Sequence, residues 1–274
     1  MNGDTAEAAS TTIRVAEVSE IADLKRVEAL FIEIWGRPYP AVSSDLMQAM
    51  RLNGNYIAGA YLGGDLVGGI VGFLGVTKEH GLHLHSHILG VRPAAQIRGV
   101  GYALKQHQRT WALDRDIKTI TWTFDPLVRR NAYFNISKLG AGVAGYHRDL
   151  YGSMGDGING SGESDRVLVA WDLDSERAVI AASSRLEDPD LDGLLRRGAV
   201  IALRDQQGRP SMAPTGADVV ACQVPADIVA LRQRQPDIAR AWRHAVRDIL
   251  GSALAAGMIV TGMDRAGHYI LERH

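Results

Sequence analysis

The 274-residue sequence predicts an α/β protein built on a mixed α+β sheet, with a larger unit followed by a smaller one. Three observations carry that expectation. Strand-like and helix-like stretches alternate between residues 82 and 139 in the order β-α-β-α. The apolar run 56–76 is cut near its middle by Gly63-Gly64-Asp65, a turn signal that makes it two paired strands. A charged stretch containing Glu187-Asp188-Pro189-Asp190 then separates these elements from a second group of strands and helices.

Residues 1–11 are small and polar and read as a flexible tail without the basic-then-apolar pattern of a signal peptide. Ile13 and Val15 alternate as in a strand, and Ser19 heads an apolar-periodic run to Trp35, a capped helix closed by Pro38 and Pro40. Ser43-Ser44-Asp45 opens a short helix that ends near Asn53-Gly54. The run 56–76 is about as long as a membrane span, yet its glycines and β-branched residues favour a hairpin. Residues 82–91 read as a strand, 98–114 as a helix, 119–124 as a strand, and 130–139 as a helix stopped by Gly140. Strands at 143–151 and 166–172 flank a loop, 152–164, rich in Gly, Ser and Asp and expected to be mobile. The second group has strands at 199–204 and 219–224, helices from Pro225 and Pro236, and a terminal hairpin. The expected division is therefore a core over 12–174, a linker over 175–198 and a C-terminal α/β subdomain over 199–274.

Thirty Lys and Arg against 31 Asp and Glu give a net charge of −1, which points to small-molecule partners rather than nucleic acid or an anionic membrane. Cys222 is the only cysteine, so an internal disulfide and a thiolate metal cage are excluded, and a reducing, cytoplasmic location is expected.

The most informative stretch is Gln96-Ile97-Arg98-Gly99-Val100-Gly101, between a strand and a helix. Two glycines that let backbone amides face outward at a helix start favour an anion, here a pyrophosphate. A dinucleotide fingerprint fits poorly because its first glycine is missing, and no Gly-Lys-Ser or Gly-Lys-Thr exists for a P-loop. Taken with the strand before it, the helix after it, the strand at Thr119 and Asn131-Ala132 opening a later helix that ends Lys138-Leu139-Gly140, residues 12–172 resemble the GNAT superfamily of acyl-CoA-dependent N-acyltransferases. The resemblance implies that acyl-CoA lies between splayed fourth and fifth strands. It also implies that Gln96, Ile97, Arg98, Gly99, Val100, Gly101 and Tyr102 form the pyrophosphate loop. Leu89 would supply an oxyanion-binding amide, Val91 would pair with the pantetheine, and Asn131, Lys138 and the Arg129-Arg130 pair would contact the coenzyme.

His83-Leu84-His85-Ser86-His87 places three imidazoles on one face of a strand. An aliphatic ammonium with a pKa near ~10 cannot attack a thioester until it loses a proton, and an imidazole can accept one near pH 7. His85 and His87 resemble the His-x-His pair that serves as the base in aralkylamine N-acetyltransferases. The same pattern also reads as ordinary strand histidines. As a zinc site it is poorly spaced, because alternate strand positions lie ~6.5 Å apart, and no metal is expected. The Tyr that the family often uses to protonate the leaving thiolate is replaced by Ile136, and Tyr133, one helical turn earlier, is the substitute.

These features together imply an enzyme that moves an acetyl, succinyl or similar acyl group from CoA to a primary amine of a small molecule, an amino acid among the candidates. The other readings are a CoA-binding sensor without chemistry and a histidine-dependent metal enzyme. The C-terminal unit is similar to tails of uncharacterised GNAT-related proteins and would complete the acceptor pocket or form a homodimer contact. Its Arg240, Arg243 and Arg247 share a helical face, either a carboxylate-binding row or a solvated surface.

Overall fold

In the computed structural model, which describes residues 12–36, 38–155, 162–183 and 185–273, the first four strands form an antiparallel meander. They are β1 (Ile13–Glu17), β2 (Tyr56–Leu62), β3 (Asp65–Thr77) and β4 (Gly81–Val91). The β2–β3 connection is the two-residue turn Gly63-Gly64, with φ of 56° and 94°. Two consecutive positive φ values suit the twist of a tight hairpin and favour glycine at both sites.

Helices α1 (Ile21–Trp35) and α2 (Ser44–Leu52) lie on one face of this sheet and α3 (Val100–Leu113) on the other. In α1 the buried Leu24, Val27, Leu30 and Phe31 recur at helical spacing and join Met47, Ile57, Leu66 and Val71 in one core cluster. Adjacent glycines of β3 serve the two layers. A Cβ on Gly69 would lie 3.2 Å from Val27 and Phe31, whereas one on Gly68 would lie 3.0 Å from Val100 and 3.2 Å from Leu104.

Several expectations shift in detail. The N-cap of α1 is Glu20, not Ser19, whose hydroxyl instead donates to Glu20 Oε1 at 3.4 Å. The helix is closed by Gly36, left-handed at φ 61°, whose N–H reaches the Ile32 carbonyl, so it ends before the prolines. The helix expected from residue 98 begins at Val100, because Pro93–Arg98 forms a 3₁₀ turn and Gly99 is left-handed at φ 79°.

The first compact unit ends at Ile117, and the second spans Lys118–His274. The second holds β5 (Thr119–Phe124), α4 (Arg129–Tyr133) continued by a π-helical turn over Phe134–Lys138, β6 (Gly142–His147) and β7 (Arg166–Asp172). Strand β7 pairs antiparallel with both β5 and β6. Part of the loop expected to be mobile, residues 156–161, lies outside the described residues. The charged stretch read as a linker carries two short helices, α5 (Glu176–Ala182) and α6 (Leu191–Arg196). Ser175 and Asp190 cap them, their side chains accepting from Ala178 N and Gly193 N.

Strands β8 (Val200–Gln206), β9 (Arg209–Met212), β10 (Val219–Gln223), β11 (Ile259–Met263) and β12 (His268–Glu272) form a second sheet in the order β11-β12-β10-β8-β9. Its β8–β10 pair is parallel and the others antiparallel. The sequence reading lacks β9, a four-residue strand containing Pro210. The helices of this region are α7 (Ile228–Arg234), α8 (Pro236–Val246), a π-helical turn over Arg247–Gly251, and α9 (Ser252–Ala255). Cys222 is fully buried in β10, and burial pushes its thiol up to about 12, so it packs as a core side chain.

The arginine row of α8 and the turn after it is neither solvated throughout nor free for a ligand. Arg240 pairs at the surface with Asp237, whereas Arg243 reaches the buried Asp125 and Arg247 reaches Asp165 and Glu163. Arg232 also pairs with Asp125. Burial alone would raise the Asp125 pKa, but the charges of Arg232 and Arg243 and the hydrogen bonds hold it below the ordinary value. This contribution is fully present above pH ~4 and is lost as pH falls through the lowered folded value. Asp125→Ala, which removes the carboxylate shared by the buried Arg243 and the half-buried Arg232, is expected to lower stability by ~3–5 kcal/mol in urea titration at pH 7. A loss below ~1 kcal/mol would contradict this role.

Candidate active site

Strand β4 pairs Phe73 with His85 and Gly75 with His83, then shifts register between Val71 and Gly72, so that His87 is the extra residue of a β-bulge. The bulge reverses the alternation of the strand. Before it, Ser86 faces α3, where Lys105 Nζ donates to its hydroxyl at 2.8 Å. Beyond it, a Cβ on Gly90 would meet Trp35 at 2.8 Å and Ile34 at 2.9 Å on the α1 face, while Leu89 and Val91 lie nearest Gly101 of α3. The histidines therefore sit on the α1 face, and the two residues implied for coenzyme contact have moved to the other.

The three imidazoles pack on what β3 presents to them. The His85 and His87 rings flank Phe73, with centroids 5.1 and 5.9 Å away. His83 lies over Gly75, where a Cβ would be 3.1 Å from its ring, and its Nδ1 is 3.0 Å from the Gly81 carbonyl. Burial, followed by the charges of His87, His83 and Lys105, lowers the His85 pKa to about 4. The protein packed around His87 lowers its pKa as well. Both rings are therefore neutral proton acceptors at neutral pH. Among the described residues, no three His, Cys, Asp or Glu side chains are grouped so as to hold a metal ion.

After β4 the chain turns through Pro93–Arg98 into α3. Gln96 Nε2 donates to the Val91 carbonyl at 3.0 Å, folding the loop back on the strand end, and Ile97 is 95% exposed at its crest. Arg98 is exposed, and the Gly99 carbonyl accepts the first helical bond, from Ala103 N. The amides of Val100, Gly101 and Tyr102 precede that bond at the helix N-terminus. A Cβ on Gly101 would meet Leu89 at 3.9 Å and Val91 at 4.0 Å, ordinary contacts, and Gly101 is not among the positive-φ residues. Neither packing nor backbone conformation requires glycine there. The missing side chain leaves room for a phosphate to approach the amides, so the loop fits a pyrophosphate.

The remaining candidates belong to the second unit. Tyr133 donates its hydroxyl proton to Asp188 Oδ1 at 2.7 Å, and Arg265 Nε donates to Tyr133 Oη at 3.2 Å and Asp188 Oδ2 at 2.8 Å. Burial and Asp188 raise the phenol above its ordinary value. Ile136 is buried, Lys138 is exposed with its ammonium 5.8 Å from the Tyr133 ring centre, and Asn131 is exposed in the first turn of α4. Arg129 donates to the Arg265 carbonyl.

Sequence reasoning missed Asp188 and Arg265, which lie 55 and 132 residues from Tyr133 and carry no local signal. It also missed Lys105, for which a signal existed. Lys105 follows Leu104 and precedes Gln108 and Trp111 on the inward face of α3, where a charge interrupts an otherwise buried stripe.

A helix start thus follows directly on a strand that carries neutral imidazoles. Residues 24–135 match the Acetyltransferase (GNAT) family, whose members use acetyl-CoA as co-substrate. Similar solved structures include Arabidopsis thaliana Naa50 in complex with a bisubstrate analogue, CoA-Ac-MVNAL. It is 17% identical, with a TM-score of 0.46, over 58% of this chain and 97% of that one. The ribosomal-protein-S18-alanine N-acetyltransferase from Escherichia coli is 16% identical over 60% and 97% of the two chains, with a TM-score of 0.47. An N-acetyltransferase from Staphylococcus aureus Mu50 is 14% identical over 59% and 99%, with a TM-score of 0.48. No curated protein matches the chain.

The cradle makes a paired prediction. Gly101→Ala is expected to leave the melting temperature unchanged or higher, since alanine favours a helix, and to weaken CoA binding at least ~10-fold by calorimetry. Unchanged affinity would remove Gly101 from the phosphate site. Gly99→Ala forces a side chain into a left-handed conformation and is expected to cost ~1 kcal/mol of stability.

Proposed function

We propose that this chain moves an acetyl, succinyl or similar small acyl group from CoA to the primary amine of a small molecule, with an amino acid among the candidate acceptors. The observation that carries this reading is the pair His85 and His87, held against Phe73 and kept unprotonated on the strand that leads directly into the cradle. His85 or His87 takes the ammonium proton, directly or through water, and the freed amine attacks the thioester carbonyl. The amide of Leu89 is assigned to the oxyanion and Val91 to the pantetheine. The nitrogen of the intermediate gives up its second proton to the other imidazole or to water, and the electron pair of the collapsing intermediate expels CoA as its thiolate. With a conjugate-acid pKa near ~8.5, that thiolate leaves without an obligatory donor. Tyr133, whose raised pKa keeps it protonated at neutral pH, is the candidate proton source. No acyl-enzyme is proposed, because the sole cysteine is buried with its thiol pushed up to about 12. Nothing in the described residues forms a helix long and apolar enough to cross a membrane. A cytoplasmic site of action is proposed from the cysteine usage.

Two measurements test the assignment with acetyl-CoA or succinyl-CoA and an amine panel, following thiol release. The variant His85→Ala/His87→Ala is expected to lose ~10²–10⁴ in kcat, with its Kd for CoA within about twofold of the unchanged protein. Full turnover in that variant would refute the base assignment. Because His85 titrates at about 4, kcat of the unchanged enzyme is expected to stay level from pH 7.5 down to pH 6 and to fall only in stronger acid. A limb near the ordinary imidazole value of ~6.5 would contradict a neutral His85 as the base. Tyr133→Phe is expected to lower kcat by ~10-fold or more, and a rate within twofold would remove the phenol from the mechanism.

A further inference from the structure

Behind the histidine strand, on the face away from the imidazoles, lies a polar group inside an apolar layer. Lys105 of α3 is 3% exposed, and its Nζ donates to Ser86 Oγ at 2.8 Å and to Gln108 Oε1 at 3.2 Å. Ser86 stands between His85 and His87, immediately before the bulge. Its partner across the strands is Gly72, where a Cβ would lie only 3.2 Å from Gln108 Nε2, so the glycine makes room for the amide that holds Lys105. Four residues from three elements thus converge behind the point where β4 changes register.

A buried lysine is costly, since its ammonium loses hydration, and burial lowers the Lys105 pKa well below the ordinary value. A leucine or methionine would fill the same layer without that cost. The charged or titratable groups that act on His85 include His87 and His83 on its own strand and Lys105 from α3. The residues of β3 opposite them, Phe73 and Gly75, carry no charge. Lys105 thus acts on His85 from a second element, α3.

We propose that Lys105 is a positioning residue of the acyltransferase site, holding the bulged segment His85–His87 through Ser86 and presenting its charge to the imidazoles from behind the strand. This rests on the reading of His85 and His87 as proton acceptors. The ammonium fixes where the bulge forms, which sets the aim of both rings, and its charge opposes protonation of the ring that must accept a proton. Lys105 itself is buried behind the strand.

The test is an NMR titration of ¹⁵N-histidine-labelled protein, beside pH–rate profiles, for the unchanged chain, Lys105→Met and Ser86→Ala. Lys105→Met keeps the volume and removes the charge, so the His85 titration, and the acidic limb of kcat with it, is expected to move up toward the ordinary value. A purely structural lysine would lower the plateau and leave the titration in place, and an unmoved His85 titration overturns the proposal. Ser86→Ala keeps the lysine and cuts its link to the strand. It is expected to lower kcat ~10-fold, with recovery in Ser86→Thr, whereas full activity in Ser86→Ala overturns the positioning arm even if Lys105→Met does not fold. If the unchanged protein acylates no amine, the functional reading fails by itself, and the NMR titration still decides whether Lys105 sets the protonation of His85.

Discussion

The bulge at His87 is the constraint on which the site depends. A regular strand would put residues 83, 85, 87, 89 and 91 of β4 on one face. The extra residue divides that set, leaving the imidazoles on the α1 face and turning Leu89 and Val91 toward α3. One strand then carries imidazoles on one side and turns Leu89 and Val91 toward the start of α3 on the other. The cost is a local break in the ladder. Behind it Lys105 Nζ donates to Ser86 Oγ and to Gln108 Oε1 within a buried layer.

The rest of the first unit supports that strand by leaving space for it. Gly69 and Gly90 admit Phe31 and Trp35 on one side, and Gly68 and Gly72 admit α3 and its polar side chains on the other. Side chains at these positions would separate the layers. In the second unit, by contrast, charge does much of the tying. Asp125 and Asp165 draw Arg232, Arg243 and Arg247 from the C-terminal helices, and Asp188 joins Tyr133 to Arg265.

What the sequence made legible was local. The Gly63-Gly64 turn, the strand 119–124 and the helix start after Gly99 were readable because a tight turn, an alternating pattern and a helix start each leave a mark within a few residues. The bulge leaves none, since one extra residue among alternating histidines looks the same as a regular strand. The inward turn of Arg243 and Arg247 was equally hidden, because their partners lie 118 and 82 residues away, and a helical row of arginines has the same spacing whether it meets solvent or carboxylates. Lys105 stood in a buried stripe and could have been noticed as a charge in the wrong place.

The claim beneath all of this is that the loop from Gln96 to Tyr102 binds the pyrophosphate of a CoA thioester. Native mass spectrometry of the purified protein, alone and with a panel of CoA thioesters, tests it most directly. The account predicts a one-to-one complex that survives desolvation, with one thioester retained above the others and thereby naming the donor. Absence of any CoA complex across the panel would contradict the phosphate cradle and the chemistry built on it.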